Sequence, residues 1–192
     1  AGAAAAWETV AGGLTGKVEG TNFTDSLLVG HTTTGTLSTA TKNTIVGIDA
    51  GDAITSGTNN TIVGFGAGTA ITSNIGNTLL GYNAGSSLTG SGNYNTLIGA
   101  QTGSISLSTS DRNTMIGYQA GSNVTGGANI CIGNECGEAL SSGEGNVAIG
   151  NEIEFASNTG DRQLKIAGND TSTTTTWIAG DSSGNLTFPA DV

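Results

Sequence analysis

The sequence predicts an all-β chain, a β-solenoid of the β-roll or β-helix kind built from about eight 17-residue coils. Three observations carry this. The segment NTIVGIDAG at Asn43 returns as NTIVGFGAG at Asn60, NTLLGYNAG at Asn77, NTLIGAQTG at Asn95 and NTMIGYQAG at Asn113, then fades into NICIGNECG at Asn129 and NVAIGNEIE at Asn146. The intervals are 17, 17, 18, 18, 16 and 17 residues, and one step back lands on Ser26, which opens a degenerate eighth copy, SLLVGHTTTG. Propeller blades and helical hairpins take more than about 30 residues, so a period this short leaves one coil per copy.

Residues 1–24 carry no repeat and read as a connecting segment, with Trp7 and Phe23 as packing anchors. The array occupies 25–154. Counting each copy from its asparagine (Ser26 in the first), position four is always aliphatic: Val29, Val46, Val63, Leu80, Ile98, Ile116, Ile132 and Ile149. That regularity nominates it as the inward core row. Side chains alternate across a strand, so the mostly β-branched position two (Thr44, Thr61, Thr78, Thr96, Thr114) should share its face. Position three (Leu28, Ile45, Ile62, Leu79, Leu97, Met115) is apolar as well and should then point outward, as an interface row between copies of the chain.

Position five is glycine in all eight copies: Gly30, Gly47, Gly64, Gly81, Gly99, Gly117, Gly133 and Gly150. A glycine at a fixed offset marks a turn with positive φ or a close backbone approach. Ala53-Ile54-Thr55, Ala70-Ile71-Thr72, Ser87-Leu88-Thr89 and Ala139-Leu140-Ser141 then read as a second strand, followed by a Gly/Ser/Asn turn. The recurring asparagine suits a stacked structural row. Cys131 and Cys136, at positions three and eight of one coil, read as two small buried residues, with a disulfide across the intervening turn as the alternative. In residues 155–192, Arg162–Ala167 alternates polar and apolar, Thr173–Ile178 is β-prone, and a Gly/Asp/Ser turn precedes Leu186-Thr187-Phe188. This predicts a small C-terminal β-meander, a cap or a neck into a further domain.

Composition narrows the function. Only 35% of residues are hydrophobic and 33 are glycine, so a lone coil has few aliphatics to offset an ordering cost of about 1.5 kcal/mol per residue, and self-association is expected to supply the rest. The net charge of −10, with five basic residues in all, argues against nucleic acid, which needs a basic footprint. No run approaches the ~18 apolar residues of a membrane-spanning helix. The chain opens on Ala1 without a signal pattern and reads as a fragment or a processed product.

Catalytic chemistry finds little material. His31, the single histidine, falls in a threonine-rich turn. Glu135, Glu138, Glu144, Glu152 and Glu154 gather in the last two coils and read as a solvated acidic face. No cofactor is expected. Position six (Ile48, Phe65, Tyr82, Ala100, Tyr118) offers a partial aromatic ladder suited to packing between chains or to stacking on sugar rings, with packing favoured. The threonine row resembles the arrays of ice-binding solenoids, but as an inward row it would not serve.

NVAIGNE at Asn146 and its relatives NTLIG and NTMIG are similar to the head repeats of YadA-like trimeric autotransporter adhesins, whose repeats are nearer 14 residues. The run NFTDSLLVGHTTTGTLSTATKNTIVG from Asn22, the GNTLLGYNAG-type copies and the ending RQLKIAGNDTSTTTTWIAGDSSGNLTF resemble the tail-fibre or virion-fibre shafts of marine bacteriophages over nearly the whole chain. That resemblance implies a homotrimeric, non-enzymatic, extracellular fibre segment on a virion. Its partners would be its own copies and a host surface glycan or protein receptor. The alternatives are a trimeric adhesin head on a bacterial surface and a filament-forming extracellular subunit.

Overall fold

The computed structural model describes residues 6–10, 14–20, 22–30, 34–90, 92–104, 111–170 and 172–188. His31 and Pro189 lie outside them. The chain is all-β. β1 (Ala6–Val10) and β2 (Leu14–Gly20) pair antiparallel and lead onto β3 (Phe23–Val29), beside which lies the short β4 (Ala40–Thr41). Then come seven three-residue strands, one per coil: β5 (Thr44–Val46), β6 (Thr61–Val63), β7 (Thr78–Leu80), β8 (Thr96–Ile98), β9 (Thr114–Ile116), β10 (Ile130–Ile132) and β11 (Val147–Ile149). β12 (Leu164–Asn169), β13 (Thr174–Gly180) and β14 (Leu186–Thr187) complete the sheet. β3 and β5 to β12 stack in parallel as nine rungs joined by eight coils, with Thr44 beside Thr61 and Thr61 beside Thr78 in unbroken register. At about 4.8 Å per rung the stack is roughly 43 Å long.

The inside of the coil is not where the aliphatic regularity of position four places it. Position three fills the core: Leu28, Ile45, Ile62, Leu79, Leu97 and Met115 are fully buried, as are Cys131 and Ala148. The expected core row faces outward instead. Val46, Leu80 and Ile149 are exposed, and Val29, Val63, Ile98, Ile116 and Ile132 are half-buried. Parity is the cause. The asparagine at position one is fully buried in most coils, and alternation then puts position three inside and positions two and four outside. The row nominated as interface is core, and the row nominated as core is surface.

Opposite position three stands position eight (Ala50, Ala67, Ala84, Ala120, Cys136, Ile153), and position twelve (Ile54, Ile71, Leu88, Val124, Leu140) closes the third side. The stretches expected as a second strand are turns and bends. The position-twelve amide bonds back to the position-nine carbonyl, as in Ile54 N–H to Gly51 O at 3.1 Å and Leu88 N–H to Gly85 O at 3.0 Å, so the chain curls there instead of extending. Coil-to-coil bonds persist on that side, for example Thr55 N–H to Thr72 O at 2.9 Å.

The position-five glycines end each strand. Their φ lies between 124° and 141°, and a Cβ on Gly47 or Gly64 would run into the carbonyl of the next coil's glycine. Conformation and space therefore demand the same residue.

The stack continues past the expected boundary at 154. Ile153 and Phe155 are buried, and β12 lies in parallel register on β11, with Val147 beside Leu164 and Ile149 beside Ile166. Beyond it β12, β13 and β14 pair antiparallel, with a register shift between Ile166 and Ala167.

Which row is core is testable with one pair of variants. Leu79→Ala should destabilise the fold by about 3 kcal/mol, while Thr78→Ala on the outward face should stay within about 0.5 kcal/mol in urea unfolding.

Candidate functional site

The outward face of the ladder is a continuous, periodic surface. It carries threonine at position two, an aliphatic residue at position four, and Ile48, Phe65, Tyr82, Ala100 and Tyr118 at position six. Leu80 is 46% exposed, Phe65 50% and Tyr82 52%. The Phe65 and Tyr82 rings stack with centroids 5.8 Å apart and planes 16° from parallel. Thr44 and Thr61 are exposed and Thr78, Thr96 and Thr114 half-buried, so the threonine row faces outward with its aliphatic neighbours, against the inward placement expected for it. From Thr44 to Ile166 no charged residue occupies positions two, four or six, although the chain holds 20.

Behind this face runs a buried asparagine ladder. Each Oδ1 accepts the backbone N–H of the next coil's asparagine: Asn60 to Asn43 at 3.0 Å, Asn77 to Asn60 at 3.0 Å, Asn95 to Asn77 at 2.9 Å and Asn146 to Asn129 at 2.9 Å. The Nδ2 groups donate to the preceding Oδ1 and to carbonyls across the coil, as Asn60 does to Asn74 O at 2.8 Å. Ser26 opens the ladder, its Oγ accepting from Asn43 N at 2.8 Å, and Gln163 ends it, its N–H donating to Asn146 Oδ1 at 2.8 Å. Gln163 also uses its longer side chain to bind Ser157 O and Gly160 O, tying down the last turn. These amides are consumed by the scaffold and are closed to a ligand.

The core row ends on a charge. Lys165 takes position three of the ninth rung, and its Nζ donates to Glu154 O at 2.9 Å. The Glu154 carboxylate accepts from Ala139 N at 3.0 Å. Partial burial raises the Glu154 carboxyl above the ordinary glutamate value of 4.5, against the backbone bonds and Lys165, which lower it.

Cys131 and Cys136 are both free thiols and both buried, so the small-core-residue expectation matches the structure, which contains no disulfide between them. Their mutual hydrogen bond, reinforced by burial, pushes the Cys131 thiol up and keeps it protonated. The two also mediate a change of packing. Positions three and eight hold Met115 and Ala120 in one coil, Cys131 and Cys136 in the next, and Ala148 and Ile153 in the last. Volume moves from one wall to the other while the sum stays similar, the kind of exchange that cores tolerate best.

Reactive groups do not converge. Among the described residues no three of His, Cys, Asp and Glu come together as a metal site; Glu135, Glu138 and Glu144 belong to the coil from Asn129, and Glu152 and Glu154 to the next. The 16-residue coil from Asn113 leaves a shallow polar notch where Gly127 and Ala128 lie between Asp111–Arg112 and Glu144. No helix among the described residues is long and apolar enough to cross a membrane. Comparison with known protein families, with curated proteins and with solved structures finds no match.

Two outcomes follow. Asn77→Leu removes the Oδ1 that accepts the buried Asn95 N–H, while the Gly92 carbonyl keeps its bond from Asn74 Nδ2, and should cost about 2 kcal/mol in urea unfolding. Glu154, with its folded pKa raised, binds its proton more readily in the folded chain, so its contribution is fully present below pH 4.5 and is lost as pH rises through the folded value. Glu154→Gln should therefore be more stable than the parent at pH 7, and the two should converge below about pH 4, as read by thermal unfolding across pH.

Proposed function

We propose that the chain is a structural, non-enzymatic fibre segment, the rigid shaft or receptor-facing part of a bacteriophage tail fibre, in which three copies associate through their outward ladder faces. One observation carries this reading: a chain of net charge −10 keeps a face eight rungs long free of charge at its three outward rows from Thr44 to Ile166. Two such chains repel over most of their surfaces and can meet there. Completing the burial of a partly exposed aliphatic contributes about 1 kcal/mol, so the eight at position four supply roughly 8 kcal/mol per chain, within the range of association costs. The rows at positions two and six must add to it.

The resemblance to trimeric shafts supplies the number three, and in such a ring each chain turns its outward face to the axis and meets its neighbours along the two sides of that face. The C-terminal antiparallel strands act as a cap or neck, because they end the run of parallel rungs that further chains could extend. The mechanism is mechanical. Backbone ladders and asparagine bonds stiffen each chain, and association stiffens the bundle. A fibre of this kind works outside the cell on the virion, with a host surface glycan or protein as its eventual target.

The outward threonine row favours a second reading, an ice-ordering face on a single chain, because Thr44, Thr61, Thr78, Thr96 and Thr114 repeat at about 4.8 Å on one side. Light scattering of residues 1–192 over a dilution series separates the two. A mass near three chains that persists on dilution is expected. A stable monomer overturns the fibre reading, and thermal hysteresis in that monomer would establish the other; a mass that grows without limit would mean an open filament.

A further inference from the structure

The outward rows change along the shaft. Position six is apolar or aromatic from Ile48 to Tyr118 and then becomes Asn134, Asn151 and Gly168. Position two does the reverse, threonine from Thr44 to Thr114 and then Ile130, Val147 and Leu164. Position four is aliphatic throughout. The apolar strip thus occupies rows four and six in the N-terminal coils and rows two and four in the C-terminal ones, with the crossover between Tyr118 and Ile130. Register carries it onward: Ile166 stands opposite Ile178, Leu164 opposite Gly180, and Gly180 opposite Leu186. Leu186 is 58% exposed and Phe188, one residue past that edge strand, 67%.

We propose that the occupant of this strip is another copy of the same chain, and that the contact line between copies crosses the ladder rows obliquely, from rows four and six at one end to rows two and four at the other. The proposal rests on the self-associating shaft reading. The face measures about 38 Å by 13 Å, roughly 500 Å² in projection, which reaches the ~500 Å² per partner that a specific interface needs. Like-charged copies can share it, since its rows are uncharged. A shift of two strand residues, about 6.6 Å, between segment centres at Leu80 and Ile149, about four rungs or some 19 Å apart, tilts the strip by roughly 19° from the rows. Neighbouring copies that both bury such a strip have crossing rows, so the chains are wound about one another.

Four lysine variants test this by light scattering, each checked for an unchanged circular dichroism spectrum. Phe65→Lys and Val147→Lys lie on the strip and should raise the concentration for half-dissociation by about tenfold or more. Thr61→Lys and Asn151→Lys lie in the same two coils but off the strip and should change it by less than about twofold. Equal losses for Thr61→Lys and Phe65→Lys, or for Asn151→Lys and Val147→Lys, would overturn the oblique line while leaving association intact. A parent chain that is monomeric at every concentration would overturn the shaft reading itself. Should a lysine variant lose its spectrum, serine at the same position gives the same comparison.

Discussion

The buried asparagine at the start of each strand is the constraint on which the rest of the structure depends. Its Oδ1 accepts the backbone N–H of the asparagine one coil on, and its Nδ2 reaches carbonyls across the coil, so it has to point inward. With the first residue inside, strand alternation leaves no choice for the next three. Position three fills the core and positions two and four face out. A buried group left without its partner costs about 1–3 kcal/mol, and each asparagine side chain satisfies several such groups at once, so together they outweigh the about 1.5–3 kcal/mol for burying one aliphatic.

The coil count, the parallel stack and the glycine turns were legible in the sequence because each is a repeated residue at a fixed offset. The facing of the strand was not. Position four is more uniformly aliphatic than position three, which accepts Met115, Cys131 and Ala148, and uniformity was read as burial. The signal that could have corrected it was covariation inside the chain. Cys131 and Ala148 shrink where Cys136 and Ile153 grow, which makes sense only if positions three and eight face each other in a core of fixed width. The second strand failed for a local reason, since a left-handed glycine at position nine lets the position-twelve amide bond back three residues, and the stretch closes as a turn. The ninth rung was missed because Gln163 and Lys165 replace the asparagine and the core aliphatic that would have marked it.

Those two replacements also explain how the stack stops. A ladder of identical rungs presents an open edge with unpaired backbone groups, a template for further chains. Gln163 continues the amide ladder and turns its spare bonds to the last turn, so no acceptor of the asparagine kind is offered onward. Lys165 puts an ammonium where the next core aliphatic would need a dry neighbour, and β13 runs antiparallel, which the parallel register cannot extend. Both ends pass from parallel coils to antiparallel strands, β1 and β2 at one and β13 and β14 at the other.

Coil length varies from 16 to 18 residues, yet the ladder register never slips. The reason lies in where the extra residues go. The span from the asparagine to the carbonyl that its Nδ2 binds is 14 residues in the coil from Asn43 and 15 in the coil from Asn77. In the coil from Asn77 the added residue is taken up after position twelve, in the turn that returns the chain to the next asparagine. Strand, glycine and the outward face are untouched by it. Length variation is thereby kept out of the strand, and the turn can change while the rows that another chain would meet keep their spacing. Such a division suits a shaft whose associating side must stay periodic and whose other corners are free to differ.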